Sequence, residues 1–488
     1  QQAELLSASA EVLLGKPFPS EELSEMWETV LTDQYHDIIP GSSIREVYED
    51  TDRDYAAIFA KTGEITEARL SAIASAVDTY KKYVVFNPHS FEGSGTVKVG
   101  GRTYSVTGIP AKGYRAVDLA DRGCSVIAEK TEDGYRFESP FWIAVFDGNA
   151  ELVSLYDREN RREVIAEGER ANSFRIYEDY PDRYDAWEIV EYSGYKYLTL
   201  GAAESVKIVS DGPRRGLSFV KTHGDSRIYQ TVWFCDSMPR IDFETRLDWH
   251  GKHRILRTAF PVAVNSDRAS FEIQFGHTER PTHFNTSWDR MKFETCGHKF
   301  ADLSEGGYGV SLLNDCKYGY NIHGHTMMLT LLKCPSYPNE VADEGVHEFT
   351  YSLLPHAGTL YDSDTVRQGY MLNLQMTAVE VPSGAPAESA RLPESWSAVT
   401  VGATNVVADT VKAAEDGDGI VIRLYESLNR RCRTTVTLGF GIESAELCDL
   451  LENPGKSLGF ESGDEKTTLE IDVLPFEIIT LKVRPKKK

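Results

Sequence analysis

Long apolar runs, paired cysteines and an excess of positive charge are all missing from this chain, and each shortage removes a class of function. No apolar run reaches the roughly 20 residues of a membrane-spanning helix, so no membrane partner is expected. The first residues, Gln1-Gln-Ala-Glu-Leu-Leu-Ser7, lack the basic start and apolar stretch of a signal peptide. Lys and Arg number 52 against 75 Asp and Glu, a formal net charge of -23. A surface of that sign repels a phosphate backbone, which argues against nucleic acid as a partner. The basic tail Arg484-Pro-Lys-Lys-Lys488 is too short to reverse this and reads as a frayed terminus. Seven cysteines (124, 235, 296, 316, 334, 432 and 448) form no Cys-x-x-Cys pair and are odd in number. Free thiols in a reducing, cytoplasmic compartment follow. The sequon Asn285-Thr-Ser287 carries little weight without a secretion signal. There is also no internal repeat. What remains is a chain of 488 residues with an ordinary 41% hydrophobic content, enough for two to four domains.

The first 82 residues read as helical. Residues 1–14 offer Leu5, Leu6 and Val12 or Leu13 for one face, with Gly15 as a C-cap. A second helix opens at Ser20, an N-cap followed by Glu21 and Glu22 where acids suit the dipole. Leu23, Met26, Trp27 and Val30 recur at helical spacing, and the same stripe runs on into Gln34 and Asp37. Polar groups therefore occupy positions where the pattern requires apolar ones. Pro40 pushes Ile39 out of the α region, and Gly41 completes the stop. A buried carboxylate costs several kcal/mol unless it is paired or metal-bound. Two readings of His36-Asp37 stand on spacing alone: a turn network around Asp37 with His36 at the surface, or a polar pair that holds an ion or ligand. Ser43-Ile-Arg-Glu46 reads as a capping box. It opens a helix with Ile44, Val47, Tyr48, Tyr55, Ile58 and Phe59 in register, ending near Gly63. Another helix, 65–81, is expected to bury Leu70, Ile73, Val77 and Tyr80.

At Tyr83 the period changes to that of strands. Val84-Val-Phe-Asn-Pro88 and Thr96-Val-Lys-Val99 are strands, and Gly100-Gly101 is a hairpin turn before Thr103. Arg240 to Trp249 alternates apolar and polar residues as a half-buried strand does. No long helical pattern recurs before Val483. The expected class is α+β: an N-terminal helical bundle followed by predominantly antiparallel β-sandwich domains. The expected domains are a bundle at 1–82, a small β layer at 83–120, a large sandwich at 121–385 and a last β domain at 386–488. The Pro- and Ser-rich stretch 381–395 reads as a linker.

Several polar clusters interrupt the strands. Asp182-Arg-Tyr-Asp185-Ala-Trp187 combines acids with aromatics, as sugar sites do, although a solvated acidic loop has the same composition. Glu279-Arg280-Pro-Thr-His-Phe-Asn-Thr-Ser-Trp288 has neither helical nor strand period and reads as a long loop. Leu313-Asn-Asp315-Cys-Lys-Tyr-Gly319 is a strand running into a polar turn. His323 and His325 alternate, so a strand points both to one face. With His347 they are candidates for a metal site.

The segment Gln34-Tyr-His36-Asp37-Ile-Ile-Pro-Gly-Ser-Ser43 resembles the signature of glycoside hydrolase family 38, the α-mannosidases. Asp185-Ala-Trp187, Gln274-Phe-Gly276, Glu279-Arg-Pro-Thr282 and Asn285-Thr-Ser-Trp288 resemble further family segments. So do Leu313 to Gly319, Asp343 to Tyr351, Arg423-Leu-Tyr-Glu426 and Pro475-Phe-Glu477, all in the family's order. The resemblance runs from about residue 20 to 482. It implies retaining hydrolysis of terminal α-mannosides, with an α-mannoside oligosaccharide as substrate. It also implies that His36 is a ligand of an active-site zinc ion and that Asp37 lies beside the metal and contacts the sugar. Asp185, Trp187, Arg280 and Asp315 are the candidate substrate-binding walls. The family's nucleophile and acid/base residue belong to a (βα)-type barrel ahead of the helical domain, and no motif of that barrel occurs in these 488 residues. The resemblance therefore implies the C-terminal portion of such an enzyme, inactive by itself. The zinc site would be completed by ligands outside the chain, and apolar surface left uncovered would favour homo-oligomers. Two other readings remain: a non-catalytic β-rich carbohydrate-binding or assembly module, and an unrelated sandwich enzyme such as a polysaccharide lyase. The lyase would need a Tyr/His/Arg cluster on a concave sheet, and no spacing singles one out.

Overall fold

The computed structural model describes residues 1–191, 196–381 and 391–486. The fold is α+β, with three helices first and antiparallel sheets after them: α1 (Gln2–Leu14), α2 (Ser20–Asp33) and α3 (Arg45–Ala76). Helix α1 ends as expected at Gly15. The left-handed φ of 64° there lets its N–H reach Glu11 O (2.9 Å) and that of Lys16 reach Ala10 O (3.3 Å).

Helix α2 stops at Asp33, four residues short of Asp37. The amides of Ile38 and Ile39 both turn back to the carbonyl of Tyr35 (2.8 and 3.0 Å), which replaces the helical ladder. The inward position at the end of the stripe thus falls to Asp33, which is buried, and not to Asp37. Burial, and next to it the charge of Asp54, raises the Asp33 carboxyl above its usual range. Helix α3 also departs from expectation, because it is one 32-residue helix that passes straight through Gly63. A lone glycine costs a helix only about 1 kcal/mol, and Gly63 does not adopt the positive φ of a cap. The helix ends at Ala76, leaving Tyr80 84% exposed where burial was expected. Ser43 does not form the capping box: its hydroxyl instead donates to Asp37 O (2.5 Å).

Contacts divide the chain into two compact units: 1–33 with 51–121 and 374–488, and 34–50 with 122–373. In the first unit, strand Tyr83–Asn87 lies between Thr377–Glu380 and Gly113–Val117, with Ser395–Ser397 outermost. The layer expected within 83–120 thus draws strands from both sides of the boundary expected near 385. Most of the linker stretch, 382–390, falls outside the described residues. Leu6 and Ala10 of α1 and Leu70, Ile73 and Ala74 of α3 bury themselves against Val84, Phe86 and Tyr114 of this sheet. Each fully buried Leu or Ile contributes about 1.5–3 kcal/mol. The neighbouring hairpin, Gly93–Val99 with Arg102–Ile109, turns on Gly100 and Gly101, both at positive φ (58° and 78°) as its two-residue loop requires. A four-stranded and a five-stranded sheet between Val399 and Pro485 enclose a core that includes Val399, Ile422, Leu424, Val436 and Leu481. Leu5 and Ala8 of α1 join that core.

The second unit holds a five-stranded, a six-stranded and a nine-stranded antiparallel sheet. One core, with Phe137, Phe174, Phe243, Phe260, Leu312 and Tyr351 among its members, serves all three. Strand Ile241–Trp249 alternates as expected, with Glu244 and Arg246 outward and Phe243, Thr245 and Leu247 buried. No described helix is long and apolar enough to cross a membrane.

Candidate functional site

The turn after α2 is fixed by its backbone and leaves its chemistry facing water. The hydroxyls of Ser43 (2.5 Å) and Ser42 (3.5 Å) donate to Asp37 O. The Tyr48 phenol accepts from Ser43 N (2.8 Å) and donates to Ile38 O (3.4 Å). On this frame His36 Nε2 lies 3.4 Å from Asp37 Oδ2, and their side chains are 70% and 51% exposed. The His36 ring leans on Tyr35, with centroids 4.4 Å apart. The result is an imidazole and a carboxylate, side by side on an anchored turn. A zinc site needs about three protein ligands and an open position. Among the described residues there is no group of three or more His, Cys, Asp or Glu that could hold a metal. His36 and Asp37 therefore fit a metal as part of a shell only.

The same finding removes the His323–His325–His347 candidate. His323 ends its strand stacked on Phe284 (4.2 Å), and His325 falls in the following turn. His347 Nε2 lies 2.9 Å from the carbonyl of Asp343.

The loop around Asp185 is built on buried charge. Asp179 is fully buried, and Lys333 Nζ donates to its Oδ2 at 2.6 Å and also to the carbonyl of Asp185. Burial raises the Asp179 carboxyl, and the Lys333 ammonium opposes that rise. The Asp185 carboxylate is buried too. It accepts from Ser336 N (2.8 Å), Ser336 Oγ (3.1 Å) and Tyr337 N (2.7 Å), and His253 Nδ1 lies 3.2 Å away. Those contacts make Asp185 the anchor of the 333–337 segment. Trp187, in contrast, is 61% exposed. Around it the loop also exposes Tyr180, Tyr184 and Tyr337, with Tyr184 and Tyr337 in edge contact at 5.1 Å and Arg183 over both rings. Sequence reading missed these tyrosines as a group. Tyr180 and Tyr184 were legible as neighbours of the acids, but Tyr337 comes from a distant segment.

Arg280 and Asp315 each border a third cluster, that of Cys296, Cys316 and Tyr318. Arg280 lies on strand Gly276–Pro281 with its guanidinium 5.7 Å from the Phe271 ring centroid. Burial pushes the Cys296 thiol up, and the Arg280 charge opposes that rise. Burial first, then the charges of Cys316, Asp315 and Cys296, raise the Tyr318 phenol. The His298 ring lies 5.4 Å from that of Tyr318. Asp315 Oδ2 accepts from Thr350 N (2.9 Å), and the Cys316 thiol beside the buried carboxyl bonds to it as well. Burial lifts the Asp315 carboxyl and pushes the adjacent Cys316 thiol up to about 12. No ion pair, hydrogen bond or ring contact among the described residues joins His36 or Asp37 to Asp185, Trp187, Arg280 or Asp315.

Three family profiles match the chain. Residues 1–73 match "Alpha mannosidase middle domain", 138–340 match "Glycosyl hydrolases family 38 C-terminal domain", and 405–481 match "Glycosyl hydrolases family 38 C-terminal beta sandwich domain". Among curated proteins the chain is similar to alpha-mannosidase 2C1 of Homo sapiens, 33% identical over 98% of this chain and 46% of that protein. It is also similar to alpha-mannosidase 2C1 of Mus musculus, 30% identical over 98% of this chain and 46% of that one. The chain thus spans about half the length of the curated relatives it matches. An α-mannosidase structure from Enterococcus faecalis V583 superposes with a TM-score of 0.82 at 15% identity, over 99% of this chain and 65% of that one, a likeness of fold.

Proposed function

Since the chain belongs to glycoside hydrolase family 38, we propose that it supplies the C-terminal portion of a retaining α-mannosidase that cleaves terminal α-mannosides. The observation that carries this reading is the His36–Asp37 pair, held outward on a turn whose backbone is tied down by Ser43 and Tyr48. Such a pair can be offered to a metal and a sugar that further residues outside the 488 complete. On this reading His36 binds a divalent ion, zinc, and Asp37 contacts the sugar beside it. The ion would supply Lewis-acid grip on ring hydroxyls. Retaining hydrolysis further needs two carboxyl groups about 5–5.5 Å apart flanking the bond, and we assign both to the portion that the relatives have beyond these residues. Trp187 offers an exposed ring for stacking on a sugar, and Asp315 and Arg280 offer a carboxylate and a guanidinium to its hydroxyls. Asp185 acts here through the loop that it anchors. The exposed apolar side chains of α2 and α3, Trp27, Leu31 and Phe59, are the face that the remaining portion would cover, and without it self-association follows. All seven cysteines are free, which supports a cytoplasmic setting.

The test compares the 488-residue chain with a protein extended to the relatives' length. The extended protein should hydrolyse an aryl α-mannoside in a metal-dependent way, and the chain alone should not. In the extended protein His36→Ala should lower metal content and turnover together, and His36→Gln should do the same because an amide binds zinc poorly. Full metal occupancy with normal turnover in His36→Ala would refute the assignment. The cluster of exposed aromatics around Trp187 also suits the second reading, a non-catalytic carbohydrate-binding module. That reading requires glycan binding without turnover at any length of chain.

A further inference from the structure

The outer face of the nine-stranded sheet carries a groove of about 490 Å³ that belongs to none of the clusters described above. Its floor is set by register. One row of directly paired residues runs Lys207, Ser218, Thr231, Glu244, Thr350 across five strands. The adjacent row runs Val220, Tyr229, Arg246, Glu348. Side chains alternate along a strand, so the residues between these rows, Phe219, Gln230, Thr245 and Phe349, are buried beneath them. With strands about 4.8 Å apart, the first row is roughly 19 Å across, long enough for several sugar rings.

We propose that this groove is an ancillary binding site for a neutral oligosaccharide. The polar groups are held in place before any ligand arrives. Glu244 accepts from Arg214 Nη1 (2.6 Å) and from the Trp233 indole (2.8 Å). Arg246 lies 5.4 Å from the centre of the Tyr229 ring and 3.7 Å from Glu348. The Arg246 guanidinium over the Tyr229 ring sets N–H donors beside an aromatic side chain, a combination that suits a pyranose ring better than an extended peptide. An ionised carboxylate has about four acceptor positions, so Glu244 keeps capacity for sugar hydroxyls after its two protein donors. Lys207 and Arg246 balance Glu244 and Glu348, so the strip itself is neutral in a chain of net charge -23. Neither a polyanion nor a polycation is favoured there. The groove also abuts the candidate site, since Thr350, which lines it, holds Asp315 Oδ2 through its N–H.

The choice of mannose as the sugar rests on the proposed function, while the groove does not. Titration calorimetry of the 488-residue chain should therefore use three probes: an α-linked mannopentaose, an α-linked glucopentaose and a pentameric polygalacturonate. We expect mannopentaose to bind, and Tyr229→Ala or Arg246→Ala to weaken it at least tenfold with unchanged circular dichroism. Tyr80→Ala, at an exposed position outside every cluster described, should leave this affinity within twofold. Equal binding of both pentaoses, with the same dependence on Tyr229, supports the groove and counts against a mannose-specific protein. The proposal is overturned if no neutral pentaose binds, if polygalacturonate binds in preference, or if Tyr229→Ala binds as the wild type does.

Discussion

Replacing Lys112 by Met should stabilise the first unit near neutral pH and lose that advantage in alkali. Lys112 is 7% exposed, and its Nζ donates to the carbonyl of Asp409 at 2.9 Å. Around it stand Leu5, Leu6, Phe86, Tyr114 and Trp396, beside a void of about 20 Å³ that has room for about one water. Burial in this apolar setting lowers the ammonium from 10.5 to about 8, with the Asp409 carboxylate opposing the shift. At about 1.4 kcal/mol per unit, the protonated side chain costs the fold on the order of 3 kcal/mol. The sign follows from proton counts. Between pH 8 and 10.5 the unfolded lysine holds a proton that the folded one has shed, so stability rises with pH across that window. Below pH 8 both states are protonated and the cost is constant. Methionine has nearly the same length, and it meets the same left-handed backbone (φ 43° at residue 112), so that strain cancels. It forfeits the hydrogen bond to Asp409 O, about 0.5–1.5 kcal/mol. The expected gain at pH 7 is therefore about 1.5–2.5 kcal/mol, vanishing or reversing by pH 10. Hydrogen exchange of the amides of strand Val406–Ala413, measured at pH 7 and in denaturant series at higher pH, reads the difference. A Lys112→Met protein with the same pH dependence as the parent, or one weakened equally at all pH values, would refute the reasoning.

Three further outcomes follow from the geometry. Gly63→Ala should raise stability by up to about 1 kcal/mol in thermal unfolding, because Gly63 sits mid-helix with nothing within 4 Å of an added Cβ; destabilisation would mean the helix is broken there. Asp185→Ala strips the acceptor from Ser336 N and Tyr337 N, at a cost of about 3 kcal/mol, and should speed exchange of those two amides, whereas unchanged protection would show that the loop has another anchor. Trp187→Ala should shift stability by less than about 0.5 kcal/mol but raise KM for an aryl α-mannoside in a protein extended to the relatives' length; an unchanged KM removes Trp187 from the substrate wall.

Much of the architecture could be read from local rules. The switch from helical to strand periodicity at Tyr83, the Gly15 cap and the Gly100-Gly101 hairpin each depend on a few adjacent residues, and each appears in the fold. What escaped turned either on the balance between competing local signals or on distant partners. Helix α3 runs through Gly63 because the weak penalty of one glycine is outweighed by the helix on either side. Asp33 and Asp37 exchanged roles because the turn on Tyr35 O ended α2 early, which periodicity alone cannot register. The identity of the candidate site was carried by motif resemblance, whereas the commitments of its side chains were not. Asp185 belongs to a loop 150 residues away in sequence, and Trp187 faces solvent two residues further on. The sheet groove left no local trace, since its rows are assembled from five strands that no single segment contains.

The sheet of the first unit has a consequence for the order of events during synthesis. Strand Tyr83–Asn87 is flanked by Gly113–Val117, which follows it closely, and by Thr377–Glu380, which does not: Tyr83 pairs with Glu380. On a ribosome, residues 122–373 emerge and can collapse while that edge of the sheet still waits for its partner. An unpaired strand edge is an invitation to foreign strands, and here it stays open for nearly 300 residues of elongation. Nascent chains arrested before residue 374 should therefore keep residues 83–117 sensitive to protease and prone to association, while chains released past 397 should protect them. The vulnerable interval opens after α1–α3 are complete and closes before the last sandwich exists.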